Sequence, residues 1–150
     1  MHALKLLEQD HRLVERILAE GETTTERGEK TRAELFARLK RELVIHEQME
    51  EEVLYPALKE VSKARDLALE AYEEHHVVDE ILAELEMTPV SDETWGAKFK
   101  VAKENLEHHI EEEEGEMWKL ARDAFSAEEL EDMGNRMLAI KQAGQELVPR

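Results

Sequence analysis

One spacing of potential metal ligands occurs twice along this chain of 150 residues. Each half holds one His, then a second His further along, and then a Glu four residues after the second His. The two copies are His11, His46 and Glu50, and His75, His109 and Glu113. Imidazole nitrogens and carboxylate oxygens together suit iron, manganese or zinc. The repeat therefore predicts two metal ions held between four helices.

The proposed ligands lie on apolar stripes with a helical period. In the first stripe, Leu4, Leu7, His11, Val14 and Leu18 follow one another at spacings of three and four residues. Residues four apart lie one above the other on a helix, about one turn of 5.4 Å apart. Each His-x-x-x-Glu pair can thus present two ligands to one region, and each Glu can bridge two metals through its two oxygens.

The stripes and their breaks predict four long helices over residues 3–20, 29–59, 62–86 and 91–123. Pro56 is expected to kink or end the second helix, and Ser91 is a candidate N-cap of the fourth. Ser126 with Glu129 forms a capping-box pattern for a fifth helix over residues 126–143. The prediction is an all-α fold in one domain, residues 1–150. It is an up-down-up-down four-helix bundle with a short fifth C-terminal helix across one end or side.

Composition excludes several classes of function. The chain has no Cys, which excludes disulfides, iron–sulfur clusters and thiolate zinc sites. Its net charge of −17 argues against nucleic-acid binding, which needs basic patches. Its apolar runs are too short to span a bilayer, and its N-terminus has no signal-peptide pattern. We therefore expect no nucleic-acid partner, no membrane and a cytoplasmic location.

Each proposed ligand has a simpler interpretation when it is considered alone. A single His on an apolar stripe is most often a hydrogen-bonded core residue, and a single His-x-x-x-Glu in a Glu-rich helix is mostly solvated surface. Here, however, each of four stripes carries one His at a comparable depth, and two stripes also carry a Glu. Burying these six groups without a metal would be costly. Metal binding is the interpretation that explains all six positions.

The sequence resembles the hemerythrin-like, HHE cation-binding domain family over nearly its whole length. The resemblance depends on four motifs and a closing helix that begins near Phe125. The motifs are EQDHR around His11, HEQMEEEVLYPAL from His46, EEHHVV around His75 and HIEEEE from His109. The resemblance implies a four-helix bundle with a non-heme di-iron centre, two Fe ions with an oxo or hydroxo bridge. Such a centre would bind dioxygen or another diatomic molecule or peroxide.

Two positions depart from the pattern of the oxygen-carrying hemerythrins. Those proteins have a fifth His one turn after the His of the third helix, where this chain has Asp79. Their last ligand is an Asp five residues after the final His, where this chain has Glu114. Glu113 is preferred here because it matches Glu50 in the repeat, and Glu114 stays an alternative. Without a fifth His both irons would keep an open position, unless Asp79 fills one, which weakens the interpretation as a reversible oxygen carrier.

Several other residues near the motifs have open roles. Tyr72 is either a packing residue or a partner of the metal site, and Glu47 is either solvated or a hydrogen-bond partner of a ligand imidazole. His76 and His108 adjoin the proposed ligands, point about 100° away, and are expected at or near the surface. The large aromatic residues are expected to pack at the ends of the bundle: Tyr55, Trp95 and Trp118.

Three functions remain open from the sequence. The first is a di-iron module that binds or reacts with dioxygen or related small ligands in sensing, storage or iron handling. The second is a di-iron oxidoreductase that acts on peroxide or nitric oxide. The third is a structural or interaction bundle with a zinc or empty site. A protein partner, and whether the chain is an enzyme at all, cannot be read from the sequence.

Overall fold

The computed structural model describes residues 1–147, and these form helices and turns with no strand. The helices, in chain order, are α1 (Ala3–Glu22), α2 (Glu29–Met49), α3 (Tyr55–Lys59), α4 (Arg65–Glu86), α5 (Glu93–Glu112), α6 (Trp118–Ala124) and α7 (Ala127–Leu147). Two π-helical turns, Glu50–Leu54 and Glu113–Met117, join α2 to α3 and α5 to α6, and the second has a kink at Gly115. The all-α class and the four-helix bundle predicted from the sequence are confirmed.

Local sequence explains where several helices begin. Ser126 and Glu129 form the predicted capping box, because each backbone N–H donates to the other's side chain at 3.0 and 3.1 Å. The prediction for α5 was wrong by one residue: Asp92, rather than Ser91, is the N-cap, and its carboxylate accepts from the Thr94 N–H at 2.7 Å. Helix α7 has 21 residues and continues past Gly144, so the fifth helix is not short.

The second helix is irregular near Pro56, as expected, and does not end there. The helix continues to Lys59, and the irregularity lies just before Pro56, in the π-helical turn. A Pro has no N–H to donate to the carbonyl four residues back, and the wider turn accommodates that missing bond. The second π-helical turn contains no Pro. Both turns begin at a Glu of the repeat and close with the same bond, from the N–H of Tyr55 or Trp118 to the carbonyl of Glu50 or Glu113.

Two apolar clusters fill the bundle on either side of a buried polar layer. Along α1, Leu7 belongs to one cluster, Val14 belongs to the other, and His11 lies between them. The first cluster also takes in Met133 and Met137 of α7, which packs along α1 and α2. The polar layer therefore lies inside the molecule with apolar packing above and below it. Among the described residues, no helix is long and apolar enough to cross a membrane.

Candidate metal centre

Four imidazole rings meet in the polar layer, one each from α1, α2, α4 and α5. His11, His46, His75 and His109 are all buried, and each turns its Nε2 atom towards the centre. The Nε2 atoms of His11 and His46 lie 3.2 Å apart. The helical period places these side chains there, because each His occupies the apolar stripe of its helix at the level between the two clusters.

Two buried carboxylates link the imidazoles across the bundle. Glu50 Oε1 lies 3.2 Å from His46 Nε2 and 3.1 Å from His75 Nε2. Glu113 Oε1 lies 3.2 Å from the Nε2 atoms of both His11 and His109. Glu50 Oε2 and Glu113 Oε1 accept no hydrogen bond within residues 1–147. The Glu113 contacts thus have ion-pair distances without hydrogen-bond geometry, as expected for donor atoms aimed at a shared central position.

The donor atoms divide into two sets, each compact enough to surround one ion. One set is His11, His46, Glu50 and Glu113, and the other is Glu50, His75 and His109, with all atoms of a set within 4.8 Å of one another. Glu50 belongs to both sets, and Glu113 contacts a His of each set. The structure therefore brings together the six residues that the sequence repeat selected. Their assignment as ligands stays a prediction.

A second ring of carboxylates holds the outer face of every imidazole. The Nδ1 atom of each ring lies 2.6–3.1 Å from a carboxylate oxygen: His11 from Glu114, His46 from Asp10, His75 from Glu51 and His109 from Glu74. These partners also repeat, because Asp10 and Glu74 precede a His, and Glu51 and Glu114 follow a Glu. A carboxylate at Nδ1 fixes the proton there and leaves the Nε2 lone pair facing inward.

The four outer carboxylates also belong to the sequence repeat, but only the six inner residues were predicted as ligands. Glu114, considered as an alternative ligand, contacts His11 Nδ1 at 2.6 Å and also pairs with Arg12. Its carboxylate therefore supports an imidazole from outside, and Glu113 is the one that reaches the centre. The sequence did contain a signal for these carboxylates. An acidic residue precedes both His11 and His75, and another follows both Glu50 and Glu113.

Without a metal, the buried charges shift one another's pKa values. Burial lowers the pKa of His46, but the charge of Glu50 and the hydrogen bond to Asp10 outweigh it and raise the pKa to about 10. Burial also lowers the pKa of His75, but the hydrogen bond to Glu50 and the charge of Glu50 outweigh it and raise the pKa to about 9. The pKa of Glu50 falls well below its usual range because the nearby imidazoles outweigh its burial. The metal-free centre is thus a network of imidazolium and carboxylate groups.

Tyr55 contributes a hydroxyl to the centre, which the sequence did not predict. It does not pack at the bundle end as expected: its OH donates to Glu113 Oε2 at 2.7 Å and lies 3.3 Å from the Nε2 atoms of His75 and His109. Burial and the charges of Glu113 and Glu50 raise its pKa well above 10, so the phenol keeps its proton. The π-helical turn adds a residue, so Tyr55 follows Glu50 on the inward face.

Trp118 occupies the matching position in the second half and has a different role. Its ring stacks on His11 with centroids 5.9 Å apart, and its Nε1 donates to Glu8 at 2.9 Å. It therefore packs against a His of the repeat rather than at the end of the bundle. Trp95 instead lies in the second apolar cluster, stacked on Phe99 at 5.1 Å, beside the Arg32 guanidinium.

The remaining candidates lie outside the centre. His76 and His108 are exposed, each paired with a Glu of its own helix. Tyr72 packs its ring against Tyr55 and donates its hydroxyl to the Glu51 carbonyl at 3.2 Å. Asp79 is exposed and lies beside Glu47, away from the inner donors. Burial raises the pKa of Glu47 to about 8, opposed by the charge of His75 and assisted by Asp79 and Glu51.

A small enclosed cavity adjoins the four imidazoles. Its volume is about 10 Å³, close to the space for one water-sized molecule. Apart from the imidazoles and Glu47, its walls are apolar: Val14, Leu43, Val78, Leu106 and Ile110. The inner donors thus have free space on one side, and that space would admit only a very small molecule.

This fold and donor set define a class of protein, a helical bundle that presents paired imidazole and carboxylate ligands at its centre. The model of the hemerythrin HHE cation binding domain matches residues 2–121, so the chain belongs to that family, as the sequence motifs had suggested. A search of curated proteins found no match.

A solved structure with the same fold comes from Mycobacterium kansasii. It is a crystal structure described as a hemerythrin HHE cation binding domain-containing protein, a homolog of Rv2633c. The two chains are 29% identical, and the similarity covers 97% of this chain and 89% of that one with a TM-score of 0.84. The likeness therefore includes the whole bundle and its closing helix.

Proposed function

We propose that the protein is a non-heme di-iron protein that binds or reacts with dioxygen or a related small ligand. One observation carries the proposal. Four Nε2 atoms and two buried carboxylates converge, and each outer nitrogen is held by its own carboxylate. Membership of a cation-binding family supports metal as the occupant. Iron in particular is inferred from the hemerythrin family, because imidazole and carboxylate donors alone also suit manganese and zinc.

The proposed ligands fall into two groups of two imidazoles with two shared carboxylates. His11 and His46 would hold one ion, His75 and His109 the other, and Glu50 with Glu113 would serve both. When bound, such a pair of irons supplies redox chemistry with positions open to a small ligand. The protein's own contribution is orientation, because the outer carboxylates would hold the one remaining proton of each metal-bound imidazole at Nδ1 and fix the direction in which Nε2 points.

The surroundings favour a diatomic molecule or peroxide as the ligand. The cavity beside the imidazoles has room for about one water-sized molecule, and its walls are mostly apolar. The Tyr55 hydroxyl lies among the inner donors, where it donates its hydrogen bond to Glu113. Asp79, which replaces the fifth His of the oxygen carriers, contacts Glu47 instead of the inner donors. Because no fifth imidazole joins the inner donors, a bound metal pair would have room for a small ligand, which fits a sensing, storage or iron-handling role.

A di-iron oxidoreductase that acts on peroxide or nitric oxide is the second candidate. Tyr55 favours it, because a protonated phenol inside the centre could supply a proton to a bound molecule. Turnover of peroxide to water and dioxygen, measured on the iron-loaded protein, would separate this candidate from a binding module. Uptake of dioxygen without turnover would favour the binding module.

The deciding experiment measures metal stoichiometry after anaerobic reloading with ferrous iron, followed by absorption spectra on admitting dioxygen. We expect about two irons per chain and new absorption in the near ultraviolet. A chain that takes up far less iron and gives no spectral change on oxygen exposure would contradict the proposal. Zinc at two per chain in the protein as purified, with the same silent spectrum, would favour a structural bundle.

A further inference from the structure

A surface groove of about 540 Å³ runs between α2 and α4, next to the first π-helical turn. Its polar lining is largely acidic. The carboxylates are those of Glu47, Glu51, Glu52, Asp79 and Glu86. The lining also includes Lys40, which is paired with Glu86 at 2.6 Å. The other acidic residues of the lining lie nearer the centre. No cationic side chain of the lining lies beside them, so negative charge is concentrated there.

Glu47 is unusual among these carboxylates because it is only 9% exposed. Within residues 1–147, no Lys, Arg or backbone N–H donates to its side chain; the group that it meets is another carboxylate, that of Asp79. One oxygen of Glu47 and one of Glu51 lie with a His75 nitrogen inside a group less than 4.8 Å across. A buried carboxylate that faces other carboxylates is costly unless a cation or a proton lies between them.

Glu47 also connects the groove to the interior. It lines both the groove and the small cavity beside His11, His46, His75 and His109. Glu51, its neighbour in the groove, holds His75 Nδ1 at 2.8 Å, so it contacts an inner ligand directly. A cation in contact with Glu47 and Glu51 would therefore be separated from the centre by little more than the His75 ring.

We propose that Glu47, Glu51 and Asp79 form a weak divalent-cation site on the groove floor, through which metal ions enter the buried centre. Carboxylate oxygens are suitable ligands for hard divalent ions, and a partly open site releases its ion readily. A negatively lined groove also raises the local concentration of cations and speeds their association. The binding site itself depends only on the groove residues, whereas the entry role rests on the proposed di-iron function.

Binding is tested with Mn²⁺, which electron paramagnetic resonance detects when free. The full-length metal-free protein is titrated alongside Glu47→Gln and Asp79→Asn, with Glu86→Gln as the matched control at the far end of the same groove. We expect each of the first two variants to bind one Mn²⁺ fewer per chain than wild type, and the control to bind as many. Equal numbers in all four proteins would overturn the site.

Entry is tested by the rate of anaerobic Fe²⁺ uptake into the metal-free protein in a stopped-flow instrument. Glu47→Gln and Asp79→Asn should load about tenfold more slowly, as electrostatic association allows, and reach the same final content. Loading as fast as wild type and Glu86→Gln would overturn the entry role. If wild type itself takes up no iron, the proposed di-iron function is contradicted. The groove would still be supported as a cation site if one Mn²⁺ is lost in Glu47→Gln and Asp79→Asn and none is lost in Glu86→Gln.

Discussion

The chain has two pairs of adjacent histidines, and the two members of each pair have different surroundings. His75 and His109 lie inside the bundle with both nitrogens engaged by carboxylates. Their neighbours His76 and His108 lie on the surface, and His108 is 66% exposed beside Glu112. A step of one residue on a helix turns a side chain by about 100°. Only one member of each pair can therefore reach the centre.

This difference predicts opposite effects of two neighbouring substitutions on metal content. His109→Ala should lower the iron bound well below two per chain, because it removes an inner donor and exposes Glu113 and Glu74 to each other's charge. His108→Ala should leave the content near wild type. Metal analysis after identical reloading measures both. Equal loss of metal in the two variants would mean that His109 was wrongly preferred over His108 as the ligand. Equal retention of metal would contradict the proposed site.

Tyr55 and Tyr72 provide a second matched pair. The Tyr55 hydroxyl donates to Glu113, whereas the Tyr72 hydroxyl bonds a backbone carbonyl outside the donor sets. Tyr55→Phe should retain the fold, since the ring still fills a fully buried position, but weaken iron binding by about tenfold or more, as for other groups that support ligands. Tyr72→Phe should change affinity little. Competition with a chelator measures both constants, and equal affinities would argue against a role for the Tyr55 hydroxyl.

At the scale of the helices, period and capping predicted most of what the structure contains. The apolar stripes placed four helices correctly because their burial follows directly from a period of 3.6 residues. The π-helical turns were not predicted, because nothing in the composition distinguishes a backbone hydrogen bond that spans five residues from one that spans four. That error explains the misplaced Tyr55: a regular helix would bring Leu54, four residues after Glu50, to the inward position.

The crossing of α1 and α5 depends on one glycine. A Cβ atom at Gly21 would come within 2.2 Å of the Phe99 ring, whereas at Gly96, in α5, it would meet only Arg32 at 3.6 Å. Gly21→Ala should therefore lower the free energy of unfolding by about 1–3 kcal/mol through overpacking. Gly96→Ala should leave it unchanged or raise it by up to about 1 kcal/mol, because Ala is the better helix former. Urea denaturation measures both, and equal stability would mean that the helices adjust freely at this crossing.

For the whole molecule, the internal repeat predicted more than any single motif. It selected the six inner residues, because an apolar stripe fixes which side of a helix faces the core. It also placed Asp10 with Glu74 and Glu51 with Glu114 at matching positions, but a position along one helix does not show which imidazole of another helix the side chain meets. Nor could it show the groove, which arises only when α2 and α4 are packed together.

The same buried network makes stability depend on pH in opposite ways with and without metal. In the metal-free protein the pKa values of His46 and His75 are raised from 6.5 to about 10 and about 9. Their stabilisation is therefore fully present below pH 6.5 and is lost as the pH rises through those values. Glu47, whose pKa is raised from 4.5 to about 8, adds a loss of stability in the same direction between those two values.

Metal binding needs neutral imidazoles, so bound metal replaces the protons and reverses the trend. We expect the metal-free protein to lose unfolding free energy between pH 6.5 and 9, while the stabilisation gained on adding metal grows over the same interval. Denaturant titrations at a series of pH values, with and without metal, measure both slopes. Glu47→Gln should flatten the metal-free slope below pH 8 and leave the part above it. A metal-free protein of constant stability from pH 6.5 to 9 would mean that these imidazoles are already neutral when the chain folds.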